Sequence, residues 1–187
     1  MTKFVDFLNI KMIEFPEFRQ AYKYDCGANA MQALLAFNGI DTSEEEIMRE
    51  AGTDKVSGTP IEGLKGVADK EGLTYSEGSF TIDNLKTHID KKWPTLIMLQ
   101  AWGEDVVDWS TEWDQGHYVI VIGYDNKRIH FEDPISVKRT YLTYEELEER
   151  WRGWDDNDKK IYNWGMVFTN DTEYKANAII HMESKIT

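Results

Sequence analysis

The chain has 187 residues, 41% of them hydrophobic, which is enough for one domain around a single core and excludes an intrinsically disordered chain. Its formal net charge of −13 argues against a protein that binds nucleic acid through a basic surface. Its single cysteine, Cys26, excludes an internal disulfide and a multi-cysteine zinc site; no cofactor is predicted, and no apolar run is long enough to insert into a membrane.

The first half of the chain predicts helices. Residues 26–38 carry apolar side chains at helical spacing and stop at a glycine. Segments 43–51 and 59–71 each begin with a capping-box pattern, and in the second Thr59 is the expected N-cap residue with a proline at the first helical position. A further helix is predicted to begin at residue 81 and to end before Pro94.

The second half predicts a sheet. Residues 95–102 and 117–124 are apolar runs bounded by polar loops, as is typical of buried strands. A tight turn at residues 125–127 leads into 128–133, so the last two runs are predicted to form an antiparallel hairpin.

Further elements are predicted towards the C-terminus. Thr143 starts a capping box and a short helix, and residues 161–168 and 176–182 are predicted strands. Residues 155–158 are acidic but lack the glycine and terminal glutamate of a calcium loop, so we expect a solvated turn. Helices first and an antiparallel sheet afterwards indicate an α+β fold in a single domain over residues 1–187.

An acidic segment at residues 103–115 contains Trp109 and Trp113. A loop of this length is often a lid or a binding loop, and it is as often a surface loop whose tryptophans pack locally. If it borders a substrate cleft, its carboxylates favour cationic or aromatic substrates.

The position of Cys26 suits a nucleophile. A thiol attacks as its thiolate, and the unpaired N–H groups and dipole at a helix N-terminus favour negative charge there. Cys26 lies at the expected start of the first helix, and Gly27 lets the backbone turn tightly into it.

A thiolate needs a base, and the base needs an orienting acceptor. His117 begins the strongest predicted strand, and Asp133 ends its hairpin partner, so antiparallel pairing places both at the same end of the sheet. Gln20 precedes the cysteine by six residues and offers an amide donor for an oxyanion. The other histidines, His88, His130 and His181, are given no role.

Over residues 15–145 the sequence resembles the papain-like cysteine peptidases of the bacteriocin-processing type. The resemblance is carried by Gln20, Asp25-Cys26-Gly27, the run GHYV at 116–119 and Asp133-Pro134. Peptidases of that group cleave after double-glycine leader sequences, usually as the N-terminal domain of peptide-exporting ABC transporters. This sequence differs in having Ala28 where many relatives have proline, and no transporter segment follows.

The resemblance implies helices packed on an antiparallel sheet, with the C-terminal part extending that sheet. It assigns Cys26 as nucleophile, His117 as base, Asp133 as orienting acceptor and Gln20 as oxyanion-hole residue. The expected function is a cytoplasmic thiol-dependent hydrolase that cleaves a peptide bond. Two alternatives stay open at this point: an inactive peptide-binding module, and an acyltransferase that uses the same residues on a small acyl substrate.

Overall fold

The computed structural model describes residues 10–103 and 108–179. In these ranges the chain forms five helices and nine strands. The helices are α1 (Cys26–Phe37), α2 (Glu44–Ala51), α3 (Ile61–Lys70), α4 (Ile82–Asp90) and α5 (Tyr144–Arg150). The strands are β1 (Lys11–Met12), β2 (Tyr75–Ser79), β3 (Thr95–Gln100), β4 (Gly116–Tyr124), β5 (Arg128–Glu132), β6 (Thr140–Thr143), β7 (Arg152–Trp154), β8 (Lys160–Tyr162) and β9 (Trp164–Phe168).

Seven of these strands form one antiparallel sheet in the order β2-β9-β3-β4-β5-β6, with β1 paired to the far end of β4. β7 and β8 form a separate two-stranded ribbon. The central strand β3 is buried along its whole length, and α1 lies against β4 with nearly all of its side chains buried. The α+β architecture with helices packed on an antiparallel sheet is therefore confirmed.

The predicted hairpin forms, but it contains a one-residue bulge. Val121 pairs with Phe131 and Gly123 pairs with His130, so Ile122 of β4 has no partner on β5. Its carbonyl instead accepts a hydrogen bond from the Ile13 N–H at 2.7 Å. A glycine at 123 allows β1 to approach, because a Cβ there would lie 2.7 Å from the Lys11 carbonyl oxygen.

The predicted start of α3 was wrong. Pro60, in extended conformation, is the N-cap residue, and the Thr59 hydroxyl is buried against that of Thr53 at 2.9 Å. The cap comes from the β7–β8 turn, where the Asp156 carboxylate accepts from the Ile61 and Glu62 N–H groups, each at 2.8 Å. The turn at 155–158 is exposed, as predicted, yet it also satisfies these two helix donors.

Two strand predictions near the C-terminus were wrong in part. Residues 161–168 do not form one strand, because Asn163 has a left-handed φ of 56° that separates β8 from β9 and sends them into different sheets. Residues 176–179 are not a strand, and the rest of the predicted strand to residue 182 lies outside the described residues. β2 and β6 were not predicted, since they are short, partly polar edge strands without a continuous apolar pattern.

Within the described ranges, the helices are too short and too polar for any of them to cross a lipid bilayer.

Candidate active site

Cys26 is the first residue of α1 and is half-buried. Asp25, the N-cap residue, does not cap the helix with its side chain; its Oδ2 instead accepts from the Tyr22 N–H at 2.8 Å. The N–H groups of the first helical turn therefore have no side-chain cap. They favour negative charge at this end of α1.

Position 27 requires a glycine for close packing, whereas we predicted a tight turn of the backbone as the reason. Gly27 is not among the residues with positive φ, so no unusual backbone turn requires it. A Cβ at this position would lie 2.7 Å from Cβ of Thr59 and 3.0 Å from Cδ2 of Tyr118. The absence of a side chain lets the start of α1 approach β4 and the loop before α3.

His117 and Asp133 meet at one end of the β4–β5 hairpin. Nε2 of His117 and Oδ1 of Asp133 are 2.8 Å apart, and the two residues are only 6% and 3% exposed. The bulge in β4 makes this contact possible. Beyond the bulge Ile120 pairs with Glu132, which puts Asp133 opposite Val119, on the same face as His117. Without the extra residue the register would shift by one, and the two side chains would point to opposite faces.

The His117 ring lies between Asp133 and Cys26. Burial by itself would lower the pKa of the imidazole, but hydrogen bonds and charge interactions with Asp133 and Cys26 raise this pKa to about 9. Because Nε2 is bonded to Asp133, the nitrogen left to face the sulfur is Nδ1. The ring is thus protonated near neutral pH, next to the cysteine side chain.

The Asp133 carboxylate accepts four hydrogen bonds. Oδ1 receives His117 Nε2 and the Ile135 N–H at 3.1 Å, while Oδ2 receives Trp102 Nε1 at 3.1 Å and the Thr140 hydroxyl at 3.0 Å. Burial alone would raise the pKa of Asp133, but the hydrogen bond and charge of His117, with the other donors, lower it below its usual value. The carboxylate is therefore ionised and held in a fixed orientation.

Trp102 and Thr140 were not predicted as site residues. Trp102 follows β3 with a left-handed φ of 61°, and its ring is half-exposed at the His117 end of the sheet. Its position next to β4 follows from strand pairing, which is the one signal that could have suggested it. Nothing in the sequence marks Thr140.

Gln20 lies in the loop before α1, next to the His–Asp pair. Its backbone N–H donates to the Pro134 carbonyl at 2.9 Å, and its side-chain Nε2 donates to the Tyr22 carbonyl at 2.5 Å. The side-chain oxygen is buried and accepts no hydrogen bond from the described residues. The structure thus brings the Gln20 backbone beside Asp133-Pro134, while one N–H of its amide is used within its own loop.

The segment that leads to Gln20 is fixed by an ion pair. The Arg139 guanidinium contacts the Glu132 carboxylate and also donates to the carbonyl of Phe15 at 2.5 Å. The other Glu132 oxygen accepts from the Phe18 N–H at 2.8 Å. Since Glu132 directly precedes Asp133, this clamp connects the N-terminal segment to the site.

Replacing Arg139 by methionine is expected to lower the free energy of unfolding by about 3 kcal/mol, because the buried Glu132 carboxylate loses its partner. Denaturant unfolding measures the change. Lys138→Met, which removes an exposed positive charge one residue away, is the matched control and should change stability by less than about 0.5 kcal/mol. Equal effects of the two substitutions would show that the clamp contributes nothing specific.

A second histidine–aspartate pair occupies the other end of the same hairpin. His130 Nε2 and Asp125 Oδ2 are 3.0 Å apart and buried, and Asp125 also accepts from the N–H groups of Lys127 and Arg128 in the turn. The only cysteine lies at the opposite end of β4. The proximity of a thiol, rather than the His–Asp contact, therefore distinguishes the His117 pair.

The acidic tryptophan loop packs on the β7–β8 ribbon in its described part, residues 108–115. The Lys160 ammonium and Arg152 guanidinium lie 4.1 and 4.9 Å from the centre of the Trp113 ring, and Arg150 lies 4.3 Å from that of Trp109. Arg152 also donates to backbone carbonyls of the loop. These contacts explain both tryptophans by packing within the chain, and a preference for cationic substrates stays a prediction.

Comparisons with known proteins identify the family and the fold. The model of the peptidase C39 family matches residues 14–154. The fold is similar to the peptidase domain of Streptococcus ComA, a bi-functional ABC transporter, with a TM-score of 0.62 and 20% identity over 82% of this chain and 97% of that chain. It is also similar to a C39-like peptidase from Bacillus anthracis, with a TM-score of 0.64 and 15% identity over 87% of this chain and 99% of that chain.

A third similar structure is a double glycine motif protease from an AMS/PCAT transporter in complex with the leader peptide. Its TM-score is 0.61, with 17% identity over 84% of this chain and 92% of that chain. Among sequences, a protein of Methanothermobacter marburgensis is 29% identical over 116 residues, which cover 62% of this chain and 69% of that protein. The family match covers most of the chain and the structural matches confirm the papain-like fold: the chain belongs to the peptidase C39 family.

Proposed function

We propose that this protein is a cysteine peptidase in which Cys26, His117 and Asp133 form the catalytic triad. The observation that carries the proposal is the position of the His117 ring, hydrogen-bonded to a buried carboxylate on one side and facing the only thiol on the other. A base within reach of the nucleophile and oriented by a third group is the arrangement that nucleophilic acyl transfer requires.

The acylation step begins with the proton of the Cys26 thiol already on His117, whose ring is protonated near neutral pH. The sulfur attacks the carbonyl carbon of the peptide bond, a C–S bond forms, and the carbonyl oxygen becomes an oxyanion. The tetrahedral intermediate collapses as the imidazolium gives its proton to the leaving amine, so that the C–N bond breaks and a thioester remains.

In the deacylation step a water molecule gives a proton to His117 and attacks the thioester carbon. The C–S bond breaks, the carboxylic acid product leaves, and the proton stays on His117, which restores the starting state of the Cys26 and His117 side chains. Asp133 holds the ring in one orientation through both steps and stabilises the imidazolium.

The oxyanion is proposed to be stabilised by the Cys26 backbone N–H and by Gln20. The Gln20 amide nitrogen has two N–H groups, and one of them donates to the Tyr22 carbonyl. The second is the donor proposed for the oxyanion, and the buried, unpartnered oxygen of the same amide suits a side chain that adjusts when substrate arrives.

The proposed substrate is a peptide, and the proposed location is the cytoplasm. The peptide class rests on the family and on the fold shared with a double glycine motif protease that binds a leader peptide. The ionised triad carboxylate and buried histidine favour catalysis over the alternative of an inactive binding module.

Incubation with a defined library of unfolded peptides tests the proposal. New termini that appear over time and are detected by mass spectrometry are the expected result, because water resolves the acyl-enzyme. The control is the same protein after alkylation by iodoacetamide, because the protein has a single thiol that this reagent can modify. Cleavage that survives alkylation would exclude Cys26 as nucleophile, and products that carry an added amine instead of a free carboxylate would identify an acyltransferase.

A further inference from the structure

Beside the proposed nucleophile lies a cluster of buried polar groups that the proposed mechanism does not use. Asp25 is fully buried directly before Cys26, Asn29 is buried one turn into α1, and Glu44 is half-buried in the first turn of α2. Three atoms of this cluster make no hydrogen bond with the described residues: Oδ1 of Asp25, Oε1 of Glu44 and Nδ2 of Asn29. Buried groups of this kind usually have a partner, so the cluster needs an explanation.

Asp25 is hydrogen-bonded to the loop that contains Gln20, and Glu44 lies near the same loop. Oδ2 of Asp25 accepts from the Tyr22 N–H at 2.8 Å, and the Ala21 backbone interacts favourably with the charged form of Glu44. The loop between Gln20 and α1 is thus hydrogen-bonded to one of the two carboxyl groups and lies near the other. Two carboxylates that are close together and shielded from water repel each other when both are ionised.

We propose that Asp25 and Glu44 share one proton and act as a positioning pair that fixes the loop of Gln20 against the start of α1. A protonated Glu44 donates its O–H to Oδ1 of Asp25, which gives both unpartnered oxygens a hydrogen bond at once. The shared proton also removes the repulsion between the carboxylates. The positioning of Gln20 for catalysis rests on the proposed function, whereas the shared proton does not.

The surroundings of Glu44 favour the protonated form. Burial, followed by the charge of Asp25, raises the pKa of Glu44, and the nearby Asn29 side chain and Ala21 backbone, which favour the charged form, oppose this only in part. Two ion pairs on α2 and α3 do not include Glu44. Glu46 pairs with Arg49 on α2, and Glu50 pairs with Lys70 of α3 at the opposite end of α2.

The raised pKa of Glu44 predicts how the stability of the protein depends on pH. A carboxyl group whose pKa is higher in the folded than in the unfolded state binds its proton more tightly when folded, so its contribution to stability is complete at low pH. The contribution is lost as the pH rises from the ordinary carboxyl range through the raised pKa of Glu44. Above that range Glu44 is ionised and no longer donates to Asp25, and the loop is expected to loosen.

Thermal unfolding against pH tests the shared proton without reference to activity. In Glu44→Gln a neutral amide replaces the protonated acid, and it still donates to Asp25. We expect Tm of this variant relative to wild type to rise with pH between about pH 4 and 8, by roughly 3–5 °C for each unit by which the Glu44 pKa is raised. Glu45→Gln, an exposed neighbour on α2, is the matched control and should follow wild type at every pH. A Tm difference for Glu44→Gln that does not change with pH would overturn the shared proton.

Steady-state kinetics test the positioning role. Glu44→Ala removes the proton donor of Asp25 and is expected to lower kcat roughly 10- to 100-fold, with a smaller change in KM, because Gln20 acts on the oxyanion rather than on bound substrate. Glu44→Gln should restore kcat to near wild type. If Glu44→Ala keeps the wild-type kcat, or Glu44→Gln loses as much as Glu44→Ala, the positioning role is wrong. A wild-type protein that cleaves no peptide would refute the proposed function, and the Tm result would still decide the shared proton.

Discussion

Cys26→Ala is expected to reduce kcat/KM for peptide cleavage by at least about 10⁴-fold, since no other group of the site can form the acyl-enzyme. The chain has no second thiol that could substitute for it. The fold should persist, because the substitution removes one half-buried sulfur atom at the first residue of α1 and leaves the packing of Gly27 unchanged. We expect the free energy of unfolding to change by less than about 1 kcal/mol.

The measurement is a progress curve with a peptide found in the library experiment, at enzyme concentrations high enough to detect residual turnover. Cys26→Ser is the informative companion, since it keeps the size of the side chain but offers a hydroxyl that His117 activates less readily than a thiol. Wild-type rates in Cys26→Ala, together with an unchanged Tm, would show that the activity resides elsewhere.

Asp133→Asn is expected to lower kcat by roughly 10³-fold, a larger loss than the similar shape of the two side chains suggests. Four donors point at the Asp133 carboxylate, two at each oxygen. An asparagine offers one oxygen, so its NH₂ must face either the His117 and Ile135 donors or those of Trp102 and Thr140. In either orientation an NH₂ group meets other donors, and the His117 ring loses its fixed position.

The same substitution should change the pH dependence of kcat/KM. In the wild type the His117 pKa of about 9 keeps the ring protonated through neutral pH. The protonated ring beside the Cys26 sulfur is therefore lost only as the pH rises through about 9. Asp133→Asn removes the negative charge that helps to raise this pKa, and the alkaline decline is expected to begin at lower pH. Trp102→Phe, which removes one donor to the carboxylate and keeps an aromatic ring, is the control and should retain the wild-type alkaline limit. An unshifted decline in Asp133→Asn would mean that Asp133 does not set the charge of the histidine.

Short-range patterns predicted the main elements well. The helix that begins at Cys26, the Ser43 and Thr143 caps and the hairpin of β4 and β5 all depend on residues within a few positions of one another. The bulge in β4 was beyond such patterns. At the bulge the Ile122 carbonyl accepts a hydrogen bond from Ile13, more than a hundred residues away, and no local rule predicts that contact.

Contacts between distant residues account for most of what was missed in the site and in the fold. Trp102 donates to Asp133 at the end of the sheet, Arg139 donates to the carbonyl of Phe15, and Asp156 caps a helix that begins 95 residues earlier. In each case a polar side chain satisfies a group that its own sequence neighbours cannot reach. Such pairs have no periodicity and no spacing that a single sequence could reveal.

Local sequence patterns were enough to predict that a thiol begins a helix and that a histidine and an aspartate lie at the same end of one hairpin, because helix starts and hairpin pairing depend on local backbone chemistry. That His117 and Asp133 point to the same face became clear only from the folded chain, since side chains alternate along a strand and a single bulge residue reverses the alternation. The folded chain also shows that Asp133 accepts from four donors and that Asp25 and Glu44 each have a buried oxygen without a hydrogen bond from the described residues. The residue types come from the chain, and the charges they carry come from burial and from neighbours brought together by folding.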